Sequence, residues 1–263
     1  MYPSDNIIHD QHNFLQDLRG DLWYSLIKRG VDMRKVKYEE MLPHEFEEEL
    51  QRFPVAYVPV GSLEWHGRHM PLGNDSIKAH GILLRTAERF GGIVLPPTYW
   101  GHMNTYGKPC SHPGIQPETV DELFTAIFQG LVAVGFKVVI GVTGHDVDEQ
   151  LASLQKAADS INSSGKSVGF AMKEGDLYDL DDEKMDHAGY WETSILMILR
   201  PELIDLERIK HENLTTMAGR NEAGILGRDP RTDASRELGE KFISRMAENI
   251  GRKAEELLAG LGK

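Results

Sequence analysis

The chain has 263 residues, 40% of them hydrophobic, enough to build a sizeable core in one domain. Its 41 acidic and 29 basic residues give a net charge of −12 with no basic run, which argues against a nucleic-acid partner. Its single cysteine, Cys110, excludes an intrachain disulfide framework, and no apolar stretch is long enough to cross a bilayer.

The first residues, MYPSDNIIHDQHNFLQ, have neither a basic start nor a continuous apolar run, so they do not read as a secretory signal and a cytoplasmic location is expected. Phe14, Leu15, Leu18, Leu22, Trp23, Leu26 and Ile27 then fall at helical spacing on one amphipathic face. Such a face needs a partner to bury it, and covering a neighbouring subunit is the expected use, with capping the active-site entrance as the alternative.

Strand-like and helix-like segments alternate from there. VAYVPVG (55–61), GGIVLPP (91–97), FKVVIGVTG (136–144) and KSVGFAMK (166–173) are short, apolar or β-branched, and bounded by Gly, Pro or Lys. Between them, DSIKAHGILLRTAERFG opens with Asp75 as an expected N-cap and stops at Gly91, and ETVDELFTAIFQGLVAVG and DEQLASLQKAADSINSSG have helical spacing too. This order predicts right-handed crossovers and a mostly parallel central sheet with helices on both faces, a three-layer α/β (αβα) fold.

Ligands of open α/β sheets gather beyond the carboxyl ends of the strands. The first apolar run ends just before Glu64 and His66, the third ends just before His145, and Asp75 opens the intervening helix. One Glu, one Asp and two His suit a divalent ion such as zinc or manganese, and two ions if one carboxylate bridges them. A solvated polar loop explains Glu64 and His66 equally well in isolation, as a loop-packing role explains His69; it is the joint arrangement that points to metal. Further on, MDHAGYWETSILMILRP sets Asp186 beside His187, a unit suited to proton transfer, with a helix cap as the structural alternative for Asp186.

VPVGSLEWHGRHMPLGND, the VTGH after the third run, DHAGYWETS and the late GILGRDPRTDASRELGEK, in this order and from about Tyr38 to the C-terminus, resemble the creatininase family of metal-dependent amidohydrolases. The resemblance implies two divalent ions per subunit, zinc or manganese, and a homohexameric assembly. By position it puts Glu64, His66, Asp75 and His145 on the family's ligands, with Asp75 as the bridge. It makes His187 the proton-transfer group, with Asp186 orienting it. It also implies a main domain over 33–263, which leaves residues 1–32 as an N-terminal helical extension.

Creatininase itself carries a further carboxylate ligand two residues after the Gly-His histidine, where this chain has Val147. Glu192 is the expected replacement, ahead of Asp148 or Asp146, since the second ion's charge needs balancing. Tyr99, Trp100, His102, Tyr106 and Trp191 are the candidate substrate-binding residues, with loop packing or a subunit interface as the alternative for the aromatic loop. The expected function is hydrolysis of a small cyclic amide or related carbonyl compound by metal-activated water. Opening a cyclic diketo sugar or inositol derivative at a carbon–carbon bond is the alternative within the same chemistry, and a non-catalytic oligomeric scaffold with a degraded metal site the alternative outside it.

Overall fold

Continuous apolar runs without polar alternation belong in strands covered on both faces. In the computed structural model, which describes residues 35–102, 108, 110–163, 165–176, 178 and 186–262, they form β1 (Val55–Val60), β2 (Ile93–Val94), β3 (Val138–Thr143) and β4 (Val168–Lys173). All pairings are parallel, in the order β2-β1-β3-β4. Every residue of β1 and β3 is buried. The expected strand over 91–97 is only two residues long, because Gly91 and Gly92 both take positive φ and two prolines follow at 96 and 97.

Helices cover both faces. On one side lie α3 (Pro117–Val134) and α4 (Asp148–Asn162), whose Phe124, Phe128 and Leu154 pack with Val58 and Val139 of the sheet. Partly buried Phe46 and Leu50 of α1 (Pro43–Arg52) join this cluster. On the other side lie α2 (Asn74–Phe90), α5 (Tyr190–Leu199) and the long α8 (Arg236–Leu261), with Ile82, Trp191, Ile195, Phe242 and Ile250 packed with Tyr57 and Ile140. The result is the three-layer α/β fold. A smaller cluster of Met70, Leu196, Ile209, Leu214 and Ile225 anchors the segment that carries α6 (Met217–Ala223) and α7 (Pro230–Asp233).

Local chemistry sets the helix ends. α3 starts with Pro117 in its first turn, where a missing N–H costs nothing, and stops at Gly135 with φ +128°. Ser235 caps α8 by accepting from the Leu238 N–H at 3.1 Å. Asp75 is not the cap of α2: Gly73 holds that position, and Asp75 lies inside the first turn with its carboxylate turned to the sheet edge.

Register is what matters for the site. Val55 to Val60 pair in step with Val138 to Thr143, and Thr143 pairs with Lys173, so three strands end at one level. The Gly144 N–H bonds the Val60 carbonyl and the Glu174 N–H bonds the Thr143 carbonyl, each at 3.0 Å. The residues that follow all three strands therefore emerge side by side. No described helix is long and apolar enough to cross a membrane. The proposed extension over 1–32 and Tyr106 lie outside the described residues.

Candidate metal centre

Beyond β1 the chain turns through Gly61 and wraps back, the Glu64 N–H reaching the Leu72 carbonyl at 2.8 Å. Close approach permits this. A β-carbon on Gly61 would lie 2.3 Å from the Ser76 nitrogen, and one on Gly144 would lie 2.2 Å from the Asp75 carbonyl oxygen, so the first turn of α2 sits directly on both strand ends. Glu64 and His66 from the β1 loop, Asp75 from α2, His145 after β3 and Glu192 from α5 converge there, and all five are buried.

Two donor groups share one carboxylate. Glu64, Asp75 and His145 form one, and His66, Asp75 and Glu192 the other, with the offered atoms of each group within 4.8 Å of one another. Asp75 Oδ1 lies 2.9 Å from His66 Nε2, and Asp75 Oδ2 lies 3.2 Å from His145 Nδ1. Glu64 Oε2 is 3.1 Å from His145 Nδ1, and Glu192 Oε2 is 3.5 Å from His66 Nε2. Supporting bonds aim these atoms. His66 Nδ1 meets the Glu64 carbonyl at 3.0 Å, which can only accept, so that nitrogen carries a proton and Nε2 faces the carboxylates. Ser62 donates to Asp75 Oδ2 at 2.6 Å, and the Ala188 N–H donates to Glu192 Oε2 at 2.6 Å.

The electrostatics follow from packing so many acids in a dry site. Burial pulls the His66 imidazolium down, but Asp75 and Glu192 outweigh it and its pKa rises to about 9. Burial acts the same way on His145, and hydrogen bonds to Asp75 and Glu64 lift it to about 10. Burial alone would raise Asp75; His66 and His145 instead hold it well below the usual carboxylate range. In the metal-free chain two imidazolium protons thus stand where cations would. Glu64 Oε1 is buried without a hydrogen-bond partner, as is His145 Nε2. Convergent, deprotonatable N and O donors with an orphaned carboxylate oxygen fit divalent ions.

His187 lies on the rim of this cluster, its ring centroid 4.4 Å from that of His66. Its Nε2 faces the Trp65 carbonyl at 2.8 Å, so a neutral ring donates there and leaves Nδ1 as an acceptor. Burial first and His66 second hold its pKa below the ordinary histidine value. Beside it opens a cavity of about 370 Å³ lined by His187, Asn221, Gly224 and Leu226.

The Asp186 carboxylate faces the start of α5. It accepts from the N–H groups of Gly189 at 3.2 Å, Trp191 at 3.1 Å and Glu192 at 3.4 Å, which binds it to the first turn of α5. This is the capping alternative, and it follows from the unpaired N–H groups that any helix start presents. Trp191 lies in the core. It is fully buried, stacked on Phe242 at 4.1 Å and edge-on to Tyr178, because α5 packs against both α2 and α8. Tyr99 packs over Gly73 and lines a groove with His80 and Leu199. Trp100 is 47% exposed and meets His112 edge-on. His102 is buried, with Nε2 2.7 Å from the Ser153 hydroxyl, which donates to Asp121.

Asp146 and Asp148 are committed elsewhere: both pair with Lys173, at 2.6 and 2.8 Å, and Asp148 is 94% exposed. Glu192 is the third carboxylate of the cluster. Sequence reasoning missed Lys78 and Glu174, which are buried behind it. Lys78 lies on the apolar stripe of α2 one turn before Ile82, and Glu174 directly follows β4, where the strand-end rule applies as it does to β1 and β3. Of the cavity lining, Asn221 carried no sequence signal, and Gly224 and Leu226, which open the late GILGRDPRTDASRELGEK stretch, were not read as lining residues.

Comparison with known proteins places these features in context. The family model for creatininase (creatinine amidohydrolase) matches residues 39–253. Over 220 residues the chain is 29% identical to the mycofactocin precursor peptide peptidase of Mycolicibacterium smegmatis, covering 73% of this chain and 81% of that one. It is 27% identical to the creatinine amidohydrolase of Pseudomonas putida, covering 59% of this chain and 68% of that one. A shorter match, 26% identical, covers 42% of this chain and 36% of the 3-dehydro-scyllo-inosose hydrolase of Thermotoga maritima. The crystal structure of creatininase superposes with a TM-score of 0.71 at 22% identity, covering 85% of this chain and 98% of that one.

Proposed function

The chain belongs to the creatininase family and is a metal-dependent hydrolase, and from that premise we propose that it holds two divalent ions, zinc or manganese, and hydrolyses an amide bond. The observation that carries this reading is the shared carboxylate: Asp75 turns one oxygen to His66 and the other to His145, each inside a separate three-donor group. Glu64, Asp75 and His145 would hold one ion, and His66, Asp75 and Glu192 the other. Creatininase has been crystallised in zinc and manganese forms, which supports the choice of metals. When bound, such a pair lowers the pKa of water and stabilises the oxyanion of a tetrahedral intermediate.

The chain's own residues supply the rest. Burial of the five donors excludes bulk water and keeps their charges effective. His187, neutral near pH 7 with its Nε2 proton fixed on the Trp65 carbonyl, presents Nδ1 as the base that takes a proton from attacking water. The same nitrogen then returns that proton to the leaving amine nitrogen. Asn221 and the Gly224 and Leu226 backbone line the adjoining cavity, where a small amide or a peptide end would sit. The relatives named for creatinine and for a peptide both support C–N cleavage, with no preference between a cyclic amide and a peptide end.

The test is turnover by the zinc- or manganese-loaded full chain on cyclic amides, short peptides and a cyclic diketone, beside the variants Glu64→Gln and His187→Ala. Amide cleavage that falls by orders of magnitude in both variants is expected. Turnover confined to the diketone would move the assignment to carbon–carbon hydrolysis, and no turnover with any of them, even with both ions bound, would favour the scaffold.

A further inference from the structure

Lys78 is buried, and so are the two carboxylates it touches. Its ammonium lies 2.5 Å from Glu192 Oε1 and 2.6 Å from Glu174 Oε1, and its remaining N–H faces the Gly144 carbonyl at 3.5 Å. One cation thus ties together the first turns of α2, the turn before His145, the end of β4 and the start of α5. Four segments that deliver or adjoin donor residues meet at a single nitrogen. A buried ion pair contributes little net stability compared with an apolar pair of similar size, so its presence calls for another role.

Glu192 shows what that role is. Lys78 occupies Oε1, while Oε2 accepts from the Ala188 N–H and points to the His66 side, 3.5 Å from Nε2. Glu174 belongs to neither donor group and serves as the second anion that holds Lys78 in place. We infer that Lys78, anchored by Glu174, is a positioning residue that makes Glu192 a one-oxygen ligand of the ion on the His66 side. The inference rests on the two-ion reading and explains how a cluster with Val147 beside His145, rather than an acid, acquires its third carboxylate.

The test compares the wild-type chain with Glu174→Gln and with the double variant K78M/E174Q, in which Glu174 is neutralised together with Lys78 and Glu192 is the one carboxylate left of the trio. Each is titrated with Mn²⁺, free ion being followed by electron paramagnetic resonance, and its melting temperature is measured. The wild-type chain and E174Q should take two ions. The double variant should bind the first ion as wild type does and the second about 10- to 100-fold more weakly. In a Glu192→Gln background, the same pair of changes should shift neither affinity further. Equal second-ion affinity in K78M/E174Q and wild type would overturn the inference, as would an equal loss in both backgrounds, since a merely structural Lys78 acts without Glu192. A wild-type chain that takes fewer than two ions fails at the earlier step and defeats the two-ion reading itself.

Discussion

Asp75 turns one oxygen to each donor group, so its loss should be felt twice. Asp75→Asn is expected to remove both ions, whereas Glu64→Gln should weaken the ion on the His145 side and leave the His66 side occupied; elemental analysis after gel filtration reads the difference. The protons on His66 and His145 make a second prediction. Those groups titrate near 6.5 in an unfolded chain and at about 9 and 10 in the metal-free fold. Ion binding must displace these protons, so affinity for each ion should rise about tenfold per pH unit between pH 7 and 9. The raised values also mean that the protons stabilise the metal-free fold fully below about pH 6.5, and that this contribution is lost as pH rises through 9 and 10. The melting temperature of the metal-free chain should therefore fall from pH 7 to 10, while that of the loaded chain holds. A flat profile for the metal-free chain would contradict the assignment of those protons. At this scale the donors were legible because each follows a strand end or opens a helix. The placement of Asp186 at a helix start and of Trp191 in the core was less so, since a cap and a core ring carry the same sequence signature as an orienting acid and a substrate-facing aromatic.

The elements succeed or fail at their close contacts. A β-carbon on Gly239 of α8 would lie 1.9 Å from the Ser194 carbonyl oxygen of α5, so these helices touch through their backbones. Gly239→Ala should push them apart at a cost of about 1–3 kcal/mol, typical of overpacking. For a domain of this size that is a drop of roughly 2–12 °C in melting temperature, read by calorimetry. Because α5 also carries Glu192, the affinity for the ion on the His66 side should fall with it; a stable variant with unchanged affinity would show that α5 moves independently of α8. Strands were legible from continuous β-branched runs and α2, α3 and α4 from their apolar spacing, whereas the long α8 was not read as a helix and β2 is short because paired glycines and prolines override the apolar run. The start of α5 at Tyr190 was hidden because no Ser, Thr, Asp or Asn stands immediately before it; Gly189 holds the cap position, and the Asp186 carboxylate three residues before that glycine accepts from the first-turn N–H groups.

For the molecule as a whole, the proposed ions would link fold and function, since the donors come from segments on α2, α5 and the ends of two strands. Ligand binding at one hundred times its dissociation constant adds about 2.7 kcal/mol per site. Chelation should thus lower the melting temperature by roughly 5–10 °C for each ion removed, with no loss of secondary structure by circular dichroism at 25 °C. The alternation of strand and helix made the layer architecture legible from sequence, because the same chain order forces parallel pairing. Substrate was not legible, because the cavity beside His187 is built from residues more than thirty positions downstream whose sequence does not reveal that they line it. The proposed hexamer and the two-ion centre are read together by native mass spectrometry with elemental analysis of the purified full chain. Two ions per chain, falling to none in Asp75→Asn with the oligomer intact, is the predicted result. A chain that takes no ion after dialysis against zinc or manganese would contradict the metal centre on which the account rests.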